Sequence, residues 1–125
     1  MAGTLVITTL SDGTNSTSAT NCIQGSAKAW VNFDGTGTPA IRASYNVSSI
    51  TDNGTGDYTV NFTNAFADAN YSMTSSSANT APTMSIASPK LTATPFTTSA
   101  ASVETRNTSS GVLLDCQFIC LSFFR

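Results

Sequence analysis

At 125 residues the chain has the commonest size of a single domain, and two halves would each be too small to bury much core. Only 10% of residues are charged and the net charge is -2, which excludes the high-charge, low-hydrophobicity balance of a disordered chain. Lys28, Arg42, Lys90, Arg106 and Arg125 are scattered singly, so the clustered cations that grip a phosphate backbone are missing and nucleic acid is not an expected partner.

The opening MAGTLVITTL lacks a basic n-region, and its apolar run is too short for a signal peptide. No later segment approaches the roughly 20 apolar residues of a membrane span. The expectation is synthesis in a cytoplasm without membrane insertion. Thr4 to Leu10 alternates well enough for one strand. From Ser11 to Ser26 the only large apolar residue is Ile23, beside the thiol of Cys22. Asp12-Gly13 reads as a turn and TNSTSATN as an extended linker, so residues 1–26 are expected to form an extended N-terminal arm that does not fold alone.

From Ala27 the pattern is strand-like. Ala27, Ala29, Val31 and Phe33 share one face and Lys28, Trp30 and Asn32 the other, with Asp34-Gly35 ending the run. Ile41, Ala43, Tyr45 and Val47 continue the period of two, and Ile50 follows. Asn53-Gly54 then offers a hairpin turn before Tyr58, Val60 and Phe62. Tyr71 and Met73 mark a further short strand. Thr74 to Thr83 has no large apolar residue, contains Pro82 and reads as a long exposed loop. Met84 and Ile86 resume a strand, Pro89 and Pro95 bracket an edge element, and Ser99 to Thr105 leads into a polar turn at Asn107 to Gly111. No segment carries a helical period.

The last run, VLLDCQFICLSFF, is the most apolar. Leu114, Cys116, Phe118, Cys120 and Phe124 lie on one face and Leu113, Ile119, Leu121 and Phe123 on the other. Such a strand is either central to a sandwich or covered in part by a neighbouring subunit. Ile119, Leu121 and Phe123 share their face with the polar Asp115 and Gln117, and this mixed face predicts that these three form an oligomer interface. Cys116 and Cys120, four apart in a strand, stand roughly 14 Å from each other and cannot bridge. With no His and no cysteine pair at knuckle spacing, no metal or cofactor site is expected, and the thiols read as buried and unreacted.

The absence of His also removes Ser-His-Asp and Cys-His chemistry. Asp12, Asp34, Asp52 and Asp57 lie beside or within two residues of Gly and read as turn formers, and Glu104 is isolated. No catalytic residue is expected. DGTG at Asp34 to Gly37 only superficially matches an aspartic-protease motif, and DNGTGD at Asp52 to Asp57 lacks the Glu an EF-hand requires, with Thr63 in its place. Six Asn-x-Ser/Thr patterns are what so Ser- and Thr-rich a chain yields without selection. Trp30, Tyr45, Tyr58 and Tyr71 offer either a sugar-stacking platform or core packing, and their strand positions favour the core.

The stretch from Ala27 to Phe62, AKAWVNFDGTGTPAIRASYNVSSITDNGTGDYTVNF, followed by DANYSM at Asp68 to Met73, resembles a domain recurring at the C-termini of tail fibres and related virion proteins of tailed bacteriophages. The KAWVNF strand and the block NVSSITDNGTGDYTVNF are its most specific parts, and the MAGTLVI start is similar to that of small phage structural proteins. The resemblance implies an all-β, antiparallel, jelly-roll-like β-sandwich over residues 27–125 in a homotrimer on the virion. The arm at 1–26 would join other virion proteins, and variable loops would meet a bacterial surface glycan or protein. Asp52, Asn53, Thr55, Ser76 and Asn79 are then the expected surface-recognition residues. The alternative is a structural role as a capsid head-decoration, head-fibre or tail-assembly protein. A polysaccharide-cleaving appendage would need paired carboxylates.

Overall fold

The computed structural model describes residues 3–79, 84–92 and 94–125. In the arm, β1 (Thr9–Ser11) and β2 (Ser16–Ser18) pair as a small antiparallel hairpin, followed by the short helix α1 (Ala19–Gly25). Asp12 holds the hairpin turn by accepting from the backbone amides of Thr14 and Asn15, at 2.9 and 2.7 Å. The sequence led us to expect a linker and no helix. Instead Ser18, at the N-cap, accepts from the amide of Asn21 and starts a turn of helix. That helix buries nothing, so no apolar stripe announces it.

Eight strands follow: β3 (Ala29–Asp34), β4 (Ala40–Tyr45), β5 (Val47–Gly54), β6 (Asp57–Phe62), β7 (Ser72–Ala78), β8 (Ser85–Pro89), β9 (Ala100–Asn107) and β10 (Phe118–Phe124). They form two four-stranded antiparallel sheets, β4-β3-β10-β7 and β5-β6-β9-β8. The all-β, antiparallel expectation holds. The jelly-roll order does not: a Greek key needs three consecutive hairpin-connected strands, and here sequence neighbours pair only two at a time, as β3-β4, β5-β6 and β8-β9.

Period-two alternation builds one core from both sheets. Ala29, Val31, Phe33, Ile119, Leu121 and Phe123 from the first meet Tyr58, Val60, Phe62, Ala101 and Val103 from the second. The rings of Phe33 and Tyr58 (5.3 Å) and of Phe62 and Phe123 (5.1 Å) cross between the sheets edge to face. Each large side chain so buried contributes roughly 1.5–3 kcal/mol.

Several local expectations shift. The hairpin is present, but Gly54 pairs with Asp57, so its turn is Thr55-Gly56 and Asn53-Gly54 lies in the strand beside a bulge. The alternation through Tyr45 and Val47 is broken at Asn46, whose φ of 55° turns the chain from one sheet to the other. Thr74 to Ala78 is strand, not loop; residues 80–83, including Pro82, lie outside the described residues. As an edge strand, β7 turns Ser75 and Ser77 inward. The Ser75 hydroxyl donates to the Ala87 carbonyl (2.6 Å) and Ser77 meets the Ser85 hydroxyl (3.1 Å), so hydroxyls rather than apolar packing join the two sheets there. Among the described residues no strand lies between Pro89 and Pro95, and the edge strand β8 instead precedes that interval and ends at Pro89.

The C-terminal run is a strand only from Phe118. Ile119, Leu121 and Phe123, expected at a subunit contact, are 0, 2 and 0% exposed within the single chain. Their partners are the facing side chains of the second sheet. Asp115 and Gln117 precede the strand and do not share its face, which removes the reason for reading that face as mixed. Leu121→Ala is therefore expected to lower the unfolding free energy by about 2–5 kcal/mol in urea titration. Leu121→Asp should fail to fold rather than yield a folded monomer. Removing residues 3–26, none of which is buried, should leave the thermal midpoint of the remaining domain unchanged within about 1 °C.

Candidate functional site

Each of the seven carboxylates has a hydrogen-bond or ion-pair partner within the chain. Asp12 and Asp52 accept from turn amides, the latter from Gly54 at 2.9 Å. Asp34 pairs with Arg42 (2.8 Å) and binds Thr36, whose hydroxyl and amide hold its carboxyl below the usual range. Asp57 pairs with Lys90 (2.6 Å) and Glu104 with Arg106 (2.7 Å), so these two are ion-pair residues rather than a turn former and an isolated acid. Asp68 binds Arg125, and that hydrogen bond lowers its pKa.

The seventh, Asp115, is half-buried and bonds to groups from two other segments. Its Oδ1 accepts from the Gly56 amide (2.7 Å) and stands 2.8 Å from the Tyr58 hydroxyl, which is also 2.9 Å from the Gly35 carbonyl oxygen. Burial, and then the bond to Asp115, drives the Tyr58 phenol far above its ordinary pKa. Nothing in the pattern VLLDCQFIC marks Asp115 for this role; only the inward fold of residues 113–117 supplies it.

The expected recognition residues divide between places. Asp52, Asn53 and Thr55 form the exposed tip of the β5-β6 hairpin. Asn79 donates from Nδ2 to the Asp115 carbonyl (3.4 Å), at the same end of the domain. Ser76 lies apart, opposite Cys120 on the outer face of the first sheet.

The two outer faces differ in kind. On the second sheet, Asn61 Nδ2 donates to the hydroxyls of Ser49 (3.1 Å) and Thr51 (2.9 Å), and Asn53 Nδ2 to that of Thr59 (3.0 Å), giving a self-satisfied amide and hydroxyl ladder. The first sheet instead exposes aromatic rings: Trp30 (39%), Tyr45 (59%) and Phe118 (42%). Arg42 lies over the Phe118 ring at 4.6 Å. Trp30 and Tyr45 are direct cross-strand partners. Tyr58 and Tyr71 are core residues, 0 and 5% exposed, as the sequence led us to expect. Trp30 and Tyr45 are not core: Trp30 lies on the outer face of β3, between the inward Ala29 and Val31, and Tyr45 belongs to edge strand β4, which is exposed along its whole length.

Beside Tyr45 opens a cleft of about 380 Å³, walled by Lys28, Asn46, Asn64 and Arg125 and floored by Phe66. Asn46 builds it. Its Nδ2 donates to the carbonyls of Lys28 and Asn64 (both 3.1 Å), and its Oδ1 accepts from the Asn64 amide (2.7 Å).

Of the cysteines, Cys116 is buried, Cys120 half-buried and Cys22 exposed, so the buried-thiol expectation fails at Cys22. Among the described residues no three His, Cys, Asp or Glu side chains gather as metal ligands. No helix among them is long and apolar enough to cross a membrane. No family model, curated protein or solved structure matches the chain.

The buried phenols set an alkaline limit on stability. Burial pushes Tyr71 up from 10.0 to about 12, and Tyr58 is raised as well. A phenol whose folded pKa lies above its unfolded value leaves stability constant below the unfolded pKa near 10, then erodes it as pH rises toward the folded pKa, because the unfolded chain ionises first. Urea unfolding should give equal free energies at about pH 7 and about pH 9, and a value lower by roughly 1–3 kcal/mol near pH 11. Tyr71→Phe should remove part of that fall.

Proposed function

We propose that this chain is a non-catalytic binding module, a β-sandwich tip domain of a homotrimeric tailed-phage fibre that recognises a host surface, with residues 1–26 attaching it to other virion proteins. The observation that carries the reading is the pair Trp30 and Tyr45, held open to solvent beside a cleft of mixed apolar and amide lining while every carboxylate has a partner in the scaffold. An exposed aromatic pair on a rigid strand pair is a recognition surface with little ordering cost. The resemblance of Ala27 to Phe62 to virion fibre domains supports the setting, and an arm with no buried side chain among its described residues, 3–26, fits a segment whose partner is another protein.

The rival reading, a purely structural head-decoration, head-fibre or tail-assembly protein, is favoured by the same arm, which exposes Leu5, Val6 and Leu10. Imaging of intact particles separates the two: density at the tail extremity is expected, and density repeating on the capsid lattice would replace recognition by decoration. In sedimentation equilibrium the purified chain should run at three times 12.9 kDa. A monomer at concentrations well above micromolar would remove the homotrimer.

A further inference from the structure

We infer that the cleft beside Tyr45 is a saccharide site, in which the Tyr45 ring stacks on the apolar face of an uncharged pyranose and the Asn64 amide bonds its hydroxyls. The inference rests on the binding-module reading and names its ligand class. Three features carry it.

The first is the ring. Tyr45 is the most exposed aromatic side chain on the first sheet, and Trp30 across the strand pair flanks it. An open aromatic face attracts a partner that is apolar on one side and hydroxylated at its edge. The second is the amide pair. Asn46 is saturated: both its Nδ2 hydrogens go to backbone carbonyls, and its Oδ1 accepts from the Asn64 amide and from Asn64 Nδ2 at 3.2 Å. Asn64 is thereby fixed in place, yet it is exposed and keeps its side-chain Oδ1 and one Nδ2 hydrogen for a ligand. An adjacent acceptor and donor on a rigid amide match two neighbouring hydroxyls of a sugar ring.

The third is charge. Both cations at the rim are turned elsewhere: Arg125 is paired with Asp68, while Lys28 Nζ donates to the Ser26 hydroxyl (3.1 Å) and the Ile23 carbonyl. Lys28 keeps its charge, but an acidic ligand would have to draw it or Arg125 away from these partners, whereas a neutral ligand meets the amides and the ring without that cost. Its volume falls within the roughly 300–1,000 Å³ of small-molecule sites.

Trp30 is the only tryptophan, so its emission reports on the site. The full chain is titrated with the methyl glycosides of glucose, galactose and N-acetylglucosamine, and with that of glucuronic acid as the charged counterpart. At least one neutral glycoside should bind at millimolar concentration with a change in Trp30 emission. Tyr45→Ala should weaken it about tenfold. Tyr45→Phe should preserve it, and Asn64→Ala should weaken it, both with an unchanged unfolding midpoint. No binding by any neutral glycoside, binding by the glucuronide alone, or binding that survives Tyr45→Ala would each overturn the inference. A trimeric virion protein that ignores sugars would sink this site alone, whereas a sugar-binding monomer would sink the trimer alone.

Discussion

The contact between the Tyr58 hydroxyl, the Asp115 carboxylate and the Gly35 carbonyl ties together the three segments that enter the core at one end of the domain. Gly35 follows β3, Tyr58 lies in β6 of the other sheet, and Asp115 stands three residues before β10. A side chain at Gly35 would put its Cβ 2.5 Å from the Tyr58 hydroxyl, so the approach requires glycine. Gly56 is constrained in the same way. Its φ is 64°, its amide donates to Asp115, and a Cβ there would lie 2.5 Å from the Thr105 carbonyl. Thr105 completes the tie by donating from its hydroxyl to the Leu114 carbonyl at 2.6 Å.

That knot fixes where β10 begins. The strand runs between β3 and β7 with Ile119, Leu121 and Phe123 inward, and a slip of one residue would turn Phe118 and Cys120 to the core and those three to solvent. At the far end, Tyr71 packs against Phe62, Phe66, Phe96 and Phe123, and its hydroxyl donates to the Ala100 carbonyl at 3.0 Å. The lock of Asn46 on Lys28 and Asn64 stands at that end too, so the scaffolding that closes the domain also shapes the cleft beside Tyr45.

A chain with so few charges solvates itself with amides and hydroxyls, and the second sheet shows how: its outer face satisfies its own side chains in a ladder. Against that background the rings on the first sheet stand out. Four ion pairs engage four of the five cations, and each has a partner at a defined place in the scaffold. Arg42 is the clearest case. It pairs with Asp34, donates to the Gln117 carbonyl at 2.6 Å and covers Phe118, linking β4 to the entry of β10.

Alternation alone determined that Val31, Phe33, Tyr58, Val60 and Phe62 face a core, because a period of two allows one buried face per strand and the turn residues bound each run. The Asn53-Gly54 turn signal added a hairpin before Tyr58, while the antiparallel pairing of the remaining strands came from the tertiary structure. Alternation could not decide which of two apolar faces of the last run is inside, since Phe118, Cys120 and Phe124 are as apolar as Ile119, Leu121 and Phe123; the facing sheet decided it. Nor could it find β7, whose inward serines bond across to β8 instead of packing. Trp30 stands on the outer face of β3, where alternation put it, but Tyr45 is exposed with the whole of β4 at the edge of the sheet. A residue's own neighbours in sequence carry no record of that, because edge position is a property of how distant strands pair.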